Sequence, residues 1–159
     1  MKKVFRVTGI LLCVVILVIA GAATYVTMAL PDTGKPETIS VSVGAEHVAR
    51  GSYLANHVAV CMDCHSTRNW SLFTGPMNAD SLGAGGEKFD QNMGFPGSFY
   101  ARNITPYALE NWTDGEILRA VTTGVNKEGK ALFPIMGSHR FGKMDRNDIY
   151  DVIAYLRTL

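Results

Sequence analysis

Two cysteines and a histidine lie close enough together in this sequence to act as one chemical unit. The segment Cys61-Met62-Asp63-Cys64-His65 has the C-x-x-C-H spacing, which is the attachment signature of a c-type haem. Thiols about one helical turn apart reach the two vinyl groups of one porphyrin, and the adjoining histidine then ligates the iron. The pattern therefore predicts one covalently attached haem c, with Cys61 and Cys64 as thioethers and His65 as an axial ligand.

Three other kinds of site use closely spaced cysteines. A thioredoxin-like redox pair is expected after a strand in a βαβ unit, and no such pattern precedes Cys61. A zinc site needs four ligands, and the sequence has no second C-x-x-C and no H-x₃₋₅-H. A plain disulfide leaves His65 without a role. Haem attachment is therefore the favoured interpretation over these alternatives.

The sixth iron ligand decides what such a haem does. Met136 ends the segment Leu132-Phe133-Pro134-Ile135-Met136, in which Pro134 stiffens an apolar approach that can bring a thioether to the iron. An ordinary role for any one methionine is core packing. We predict Met136 as the sixth ligand, keep Met144 and His139 as second choices, and place His57 on the surface of a helix.

The N-terminal part of the chain carries a long apolar run. Residues 7–30 hold no charged side chain, Lys2, Lys3 and Arg6 precede them, and the next basic residue is Lys35. A helix of this length is about 36 Å long, which exceeds a hydrocarbon core of about 30 Å. The positive-inside rule places the N-terminus in the cytoplasm.

This pattern divides the chain into four parts. We predict a cytoplasmic basic flank at 1–6, a transmembrane anchor at 7–30, a linker at 31–43 and an exported domain at 44–159, in a bacterial inner membrane with the domain in the periplasm. The alternative is a cleavable signal peptide cut near Ala20–Ala23. Export agrees with the C-x-x-C-H motif, because bacteria attach haem covalently outside the cytoplasm. Cys13 lies inside the apolar run, where it is inert.

The exported part shows three helical patterns and no sustained strand alternation. The first runs from about Ala45 to Val58 with small residues along one face, the second begins at the Thr113–Glu116 capping box and ends at Gly124, and the third begins near Asp145. Between Ser66 and Trp112 the glycine- and proline-rich chain predicts a long irregular connection, which in a compact domain needs an organising element such as a large cofactor. The fold class is all-α.

Composition excludes other classes. The 159 residues include 15 basic and 14 acidic side chains, giving a formal charge of +1. The chain therefore lacks the excess of basic residues that is typical of nucleic-acid-binding proteins. Three cysteines cannot build a disulfide scaffold.

An ordered set of short motifs gives the domain a resemblance to a known family. The domain resembles class I cytochromes c, and more narrowly the haem domains of cytochrome c subunits of membrane-bound periplasmic alcohol, gluconate and related dehydrogenases. The resemblance covers residues 50–159. The motifs that carry it are Gly51–Leu54, Cys61–His65, Asn103–Pro106, Trp112–Glu116, Arg119-Ala120, Gly124-Val125, Gly129, Leu132–Pro134 with Met136, and Ala154–Leu156.

The resemblance implies roles for residues outside the C-x-x-C-H motif. Gly75 and Pro76 correspond to the loop whose proline carbonyl accepts a hydrogen bond from His65 Nδ1. The family pattern places the segment containing Asn103 and Ile104 near the haem, with Pro134 before the axial methionine. It also implies that Gly51 meets Tyr155 where the first and last helices of the domain cross.

Two departures from the family are visible. The family usually continues Met-Pro-Tyr where this chain has Met136-Gly137-Ser138, so glycine loosens the ligand loop. The dehydrogenase subunits often carry three haems, whereas this chain has one motif.

These features favour a non-enzymatic, one-electron carrier over two other functions. A His/Met-ligated iron has no open coordination position and transfers electrons to redox proteins such as a dehydrogenase, a quinol-oxidising complex or a terminal oxidase. One alternative is the electron-accepting subunit of a multi-subunit dehydrogenase. The other is a haem peroxidase or gas sensor, in which flexibility at Gly137 lets Met136 leave.

Overall fold

The computed structural model describes residues 2–159, which are mostly helical with one small sheet. The seven α-helices are α1 (Lys2–Ala29), α2 (Ala45–Tyr53), α3 (Cys61–His65), α4 (Pro106–Leu109), α5 (Asp114–Thr123), α6 (Ser138–Phe141) and α7 (Arg146–Leu156). A π-helical turn at Leu54–Val58 extends α2, and 3₁₀ turns occupy Ala79–Ser81 and Gln91–Met93. Two short antiparallel strands, β1 (Lys88–Phe89) and β2 (Phe99–Tyr100), form the sheet.

Helix α1 is long and apolar enough to cross a membrane, and it buries none of its side chains in the rest of the protein. Two of its threonines bond within the helix, because the Thr24 and Thr27 hydroxyls each donate to a backbone carbonyl four residues earlier at 2.9 Å. Such internal hydrogen bonds satisfy these two hydroxyls on an apolar helix surface. The helix begins at Lys2, a few residues before the predicted anchor at 7–30, and it ends at Ala29, just before the end of that anchor.

The three predicted helices are present. The first is α2 with its π-helical extension. The second is α5, in which the Thr113 hydroxyl accepts from the Glu116 amide at 3.2 Å, the Glu116 carboxylate accepts from the Thr113 amide at 2.8 Å, and left-handed Gly124 follows the last turn. The third is α7, where Asp145 accepts from the Asn147 amide at 2.8 Å. The capping box and Gly124 therefore located the ends of α5 correctly.

The core lies where α2 and α7 cross, with α5 packed against α7. Its buried side chains are Leu54, Ala55, Met62, Leu109, Ile117, Leu118, Ile149, Val152, Ile153 and Leu156. At the crossing Gly51 faces the Asp151 carbonyl, and a Cβ atom on Gly51 would lie 3.0 Å from Tyr155 Cβ. The predicted meeting of Gly51 and Tyr155 is therefore confirmed, because only a glycine lets the two backbones approach this closely.

Polar contacts border the same crossing. The His47 ring Nδ1 lies 2.7 Å from the Asp151 carboxylate, and Arg50 donates to Asp148. At the other side the Asn56 amide donates to the Tyr155 hydroxyl at 3.2 Å. Asp151 is nearly buried, so its pairing with His47 compensates for the loss of water.

The segment before α2 has no helix or strand, but part of it contacts the domain. We call residues 33–41 the strap. Ile39 and Val41 pack against the core, and the Val41 amide donates to the Asp114 carboxylate at 2.8 Å. Glu37 pairs with Arg146 at the start of α7. The predicted linker at 31–43 therefore contains a stretch that lies on the domain surface.

Short elements interrupt the predicted long connection between Ser66 and Trp112. These are the two 3₁₀ turns, the β1–β2 hairpin and α4. Sequence periodicity does not reveal them, since each holds only two to four residues and the periodic patterns need a window of about 11–18 residues.

Candidate functional site

The C-x-x-C-H motif forms a helix of its own. Helix α3 spans Cys61–His65 and follows Val60, whose φ of 49° is in the left-handed region. A β-branched residue in this region is uncommon and strained, and here it separates α3 from the π-helical turn. The chain therefore changes direction immediately before the two cysteines.

Met62 fixes how α3 is rotated about its axis. Its side chain is fully buried in the core, whereas Cys61 is half-buried and Cys64 is exposed. Both thiols are free rather than joined in a disulfide. The core contact of Met62 thus leaves the two cysteines accessible to a covalent partner.

Both thiols are held in their protonated form. Burial raises the pKa of Cys61 to about 11. The pKa of Cys64 is also raised, first by the partial burial of its thiol group and then by the Asp63 carboxylate. Reactive redox cysteines have a lowered pKa, so this environment does not fit a thioredoxin-like site. Within residues 2–159 no group of three or more His, Cys, Asp and Glu side chains is placed to hold a metal ion.

His65 is oriented by one hydrogen bond. Its Nδ1 lies 2.6 Å from the carbonyl oxygen of Arg102. A bond at Nδ1 fixes the ring and leaves Nε2 for a ligand. Burial lowers the pKa of His65, and the Arg102 carbonyl opposes that shift. The neutral imidazole that results is the form that binds a metal.

The partner of His65 corrects one prediction. The resemblance assigned this hydrogen bond to the carbonyl of Pro76, but that carbonyl accepts from the Asn69 amide at 2.9 Å. The physical reason is that residues 69–76 turn back on themselves, while the segment before Asn103 is drawn against α3. Arg102 is therefore a site residue that sequence reasoning missed, because its contribution is a backbone carbonyl that no residue type reveals.

Gly85 permits the close approach of Arg102. The Gly85 amide donates to the His65 carbonyl at 2.7 Å, and the neighbouring Gly86 amide donates to Ala101 at 3.0 Å. Gly85 has a φ of +76°, and a Cβ there would lie 2.6 Å from the Ala101 oxygen. The glycine cluster at 83–86 thus has a conformational role at this site.

Asn103 and Ile104 continue this segment. The Asn103 side-chain oxygen accepts from the Thr105 amide at 2.8 Å, which shapes the turn into α4. The Ile104 amide donates to Gly83 at 2.8 Å, and its side chain packs against the core. Both residues belong to the backbone layer that positions the His65 partner.

Arg68 joins α3 to the loop that contains Gly75 and Pro76. Its guanidinium forms an ion pair with Asp63 at 2.9 Å and donates to the Gly75 carbonyl at 2.8 Å. The same group lies over the Trp70 ring, 5.7 Å from its centroid. Gly75 has a φ of +51°, and a Cβ there would lie 2.6 Å from Trp70. Sequence reasoning missed Arg68, because its carbonyl partner at Gly75 is selected by the path of the loop.

The predicted sixth ligand lies in a turn next to an aromatic cluster. Met136 is partly exposed and precedes left-handed Gly137 (φ +66°) and α6. Three residues earlier, Phe133 stacks on Phe99 with ring centroids 3.8 Å apart. Pro134 begins the turn that leads to Met136.

The second-choice ligands occupy different surroundings. Met144 packs against the core and lines a cleft of about 260 Å³ beneath the strap, together with Lys35 and Phe141. His139 is exposed on α6, and His57 is exposed on the π-helical turn as predicted. Of these three side chains, Met144 is the one that packs against the hydrophobic core.

Curated relatives of this chain carry closely related descriptions. It is 29% identical over 111 residues to the cytochrome c subunit of a quinone alcohol dehydrogenase from Gluconacetobacter polyoxogenes, covering 68% of this chain. It is 26% identical over 128 residues to the corresponding subunit from Gluconobacter oxydans, covering 74% of this chain. It is 27% identical over 125 residues to the fructose dehydrogenase cytochrome subunit of Gluconobacter japonicus, covering 77% of this chain. The chain is a homologue of dehydrogenase cytochrome c subunits.

This cytochrome c homologue matches only part of each relative. The aligned region spans 21 to 24% of their lengths. No model of a known protein family matches the chain.

The residues of this cytochrome c homologue fit the cofactor that the relatives' descriptions imply. Two free thiols lie one helical turn apart, and the neutral His65 ring has one nitrogen committed to a carbonyl. This donor set suits a haem c, whereas a reactive dithiol or a closed zinc site would require a different one.

Proposed function

We propose that this chain is a membrane-anchored cytochrome c with one haem that transfers single electrons in a periplasmic respiratory chain. The observation that carries the proposal is the geometry of α3, where the two accessible cysteines adjoin a histidine held through Nδ1. Cys61 and Cys64 form the thioether bonds, and His65 Nε2 is the proximal ligand. The domain adopts the class I cytochrome c fold, supported by the close crossing of α2 and α7.

A haem held by Cys61, Cys64 and His65 would supply one-electron redox chemistry at its iron. The protein's residues orient the ligands and exclude water. Met136 is the proposed sixth ligand, and Pro134 limits the freedom of its loop. Gly75, Pro76, Asn103 and Ile104 form the surroundings of the group.

The membrane anchor determines the compartment in which the proposed electron transfer takes place. We propose that α1 remains in the bacterial inner membrane, with residues 1–6 in the cytoplasm and residues 44–159 in the periplasm. The basic residues before the apolar run support this orientation. Suitable electron partners are a dehydrogenase, a quinol-oxidising complex or a terminal oxidase in the same membrane.

Replacing the ligand and attachment residues tests the proposal. We expect the wild-type chain to bind one haem, to be reduced reversibly and to show the absorption features of methionine ligation. Met136→Ala should lose those features and gain CO binding in the reduced state, because it opens a coordination position. A Cys61→Ser, Cys64→Ser double variant should retain no haem after denaturation.

A matched variant controls for general disturbance of the methionine loop. Ile135→Ala alters the neighbouring exposed side chain and should keep the methionine features. If Met136→Ala keeps them, the sixth ligand is a different residue. CO binding by the reduced wild type would instead support the peroxidase or gas-sensor function.

The relatives favour a more specific version of this function. They are cytochrome subunits of alcohol and fructose dehydrogenases, so we propose that this chain accepts electrons from a separate dehydrogenase chain. Purification from native membranes in mild detergent should recover a dehydrogenase with the cytochrome. Recovery of the cytochrome alone, with reduction by a quinol-oxidising complex, would favour an independent carrier.

A further inference from the structure

The strap links the predicted anchor to the domain, and its contacts extend along its length. At its start the Gly34 carbonyl accepts a hydrogen bond from Arg119 at 3.2 Å. In the middle Glu37 pairs with Arg146. At its end the Val41 amide donates to Asp114 at 2.8 Å. Three separate points on α5 and α7 therefore hold one stretch of chain.

Asp114 connects the strap to the most buried ion pair around it. Its second oxygen accepts from Arg157 at 2.8 and 3.0 Å, and Arg157 also donates to the Leu109 and Trp112 carbonyls. Both partners are largely shielded from water, with side chains 13% and 22% exposed. Asp114 begins α5 and Arg157 directly follows α7. The hydrogen bond from Val41 to Asp114 therefore connects the strap to both helices.

Gly115 shows how closely the strap lies against α5. A Cβ atom there would overlap the carbonyl group of Glu37. Ile39 and Val41 add apolar contacts with the core. A hydrogen-bonded backbone, an ion pair and apolar burial thus act together, whereas a freely moving linker would make none of these contacts.

The distance between the strap and α1 is short. The strap begins four residues after Ala29, the end of α1, and four residues span at most about 14 Å. A flexible 13-residue linker would instead sample an end-to-end distance of about 20 Å. The docked strap therefore removes most of the freedom that residues 31–43 would have.

We propose that the strap is an orientation device that holds the domain in a fixed attitude to the membrane. The proposal rests on the proposed function, because it requires α1 to be the anchor. Its consequence is that one face of the domain is presented to partners in the same membrane. Release of the strap would leave the domain tethered but free to rotate.

Gly115→Ala is the sharpest test. The added methyl group must displace the Glu37 backbone, while alanine is a better helix former than glycine, so α5 itself is retained. In the full chain in lipid bilayers we expect the Val41 amide to be protected from hydrogen exchange in the wild type. In Gly115→Ala it should exchange at least about tenfold faster, which corresponds to about 1.4 kcal/mol.

Two further variants make the test specific. Gly97→Ala is the matched control, since its Cβ would meet only Phe99 at 3.6 Å, and it should exchange like the wild type. Glu37→Gln should give a smaller rise of about threefold by weakening the Arg146 pair, and it serves if Gly115→Ala does not fold. Wild-type exchange at the unprotected rate, or unchanged protection in both strap variants, would overturn the proposal.

Orientation has its own readout. In oriented bilayers the haem absorption of the wild type should depend on the polarisation of light, and Gly115→Ala should lose most of that dependence. No dependence in the wild type, or an unchanged one in Gly115→Ala, would contradict the orientation device. Failure of the proposed function would instead appear as missing haem or as loss of the chain from the membrane, and both are scored separately from the Val41 exchange rate.

Discussion

The crossing of α2 and α7 and the loops around His65 are built in different ways. At the crossing, side-chain size decides the structure, because Gly51 and Ala55 are buried and allow two regular helices to meet. Around His65, backbone groups decide it, since the Gly85 amide and the Arg102 carbonyl bond to the same residue. The packed helices α2 and α7 thus support a site whose geometry depends on hydrogen bonds from the loops around His65.

The largest expected effect of a single substitution is at the crossing. Gly51→Ala places a Cβ atom against the Asp151 carbonyl, so the two helices must separate. We expect a loss of about 3 kcal/mol in the free energy of unfolding, measured by denaturant titration of the haem-loaded protein. This exceeds the gain of about 1 kcal/mol from the better helix propensity of alanine.

Ala49→Val is the control on the same helix. It adds more atoms than Gly51→Ala, but Ala49 is exposed, so the cost should be about 0.5 kcal/mol from helix propensity. Equal losses in the two variants would show that the crossing is not as tight as Gly51 indicates.

A substitution at Gly85 should cause a smaller loss of stability, together with a change in the haem potential. Gly85→Ala pushes the Ala101–Asn103 backbone away from α3 and weakens the hydrogen bond to His65. We expect about 2 kcal/mol of destabilisation from strain and displaced backbone, together with a shift in the haem midpoint potential, because the ligand's hydrogen bond tunes the metal.

Gly94→Ala separates these two effects. Gly94 also has positive φ, +83°, but nothing lies within 4 Å of a Cβ there. It should cost only the left-handed strain of about 1–2 kcal/mol and leave the potential unchanged. A potential shift in both variants would mean that the effect arises from loop strain in general rather than from His65.

The difference between the two regions explains what the sequence could predict. Small residues along one face identified α2, the capping box identified α5 and a helical pattern identified α7, since these features act through residue type. The C-x-x-C-H motif gave the candidate site for the same reason. The meeting of Gly51 with Tyr155 was implied by the family resemblance. The Arg102 carbonyl could not be predicted, because every residue carries a carbonyl and only the three-dimensional path of the chain selects one.

The strap shows a second limit of the same kind. Its proline and glycine content is typical of a linker, and the polar contacts that hold it come from residues more than seventy positions away, such as Asp114 and Arg146. Long-range pairing of this type leaves no local pattern. The composition of residues 33–41 therefore predicts a flexible linker, but it does not predict that this segment packs against the domain.

The smallest expected effect concerns Arg68, which joins the motif helix to the following loop. Arg68→Gln removes the Asp63 ion pair and the bond to the Gly75 carbonyl. We expect a loss of about 1–1.5 kcal/mol, because the Arg68 side chain is mostly shielded from water and its carbonyl partner then lacks a donor. Hydrogen exchange should show faster opening of residues 69–76 and little change at the α2–α7 crossing.

Lys88→Gln is the matched test of charge alone. Lys88 pairs with Asp90 at 2.9 Å on the surface of the β1–β2 hairpin, and such exposed pairs contribute little. The pair holds the pKa of Asp90 below its ordinary value, so its contribution is present above the unfolded pKa and disappears as the pH falls through the folded one. Lys88→Gln should raise the Asp90 pKa measured by NMR without changing exchange in residues 69–76. If it disturbs that loop as much as Arg68→Gln does, net charge rather than the Arg68 contacts stabilises the site.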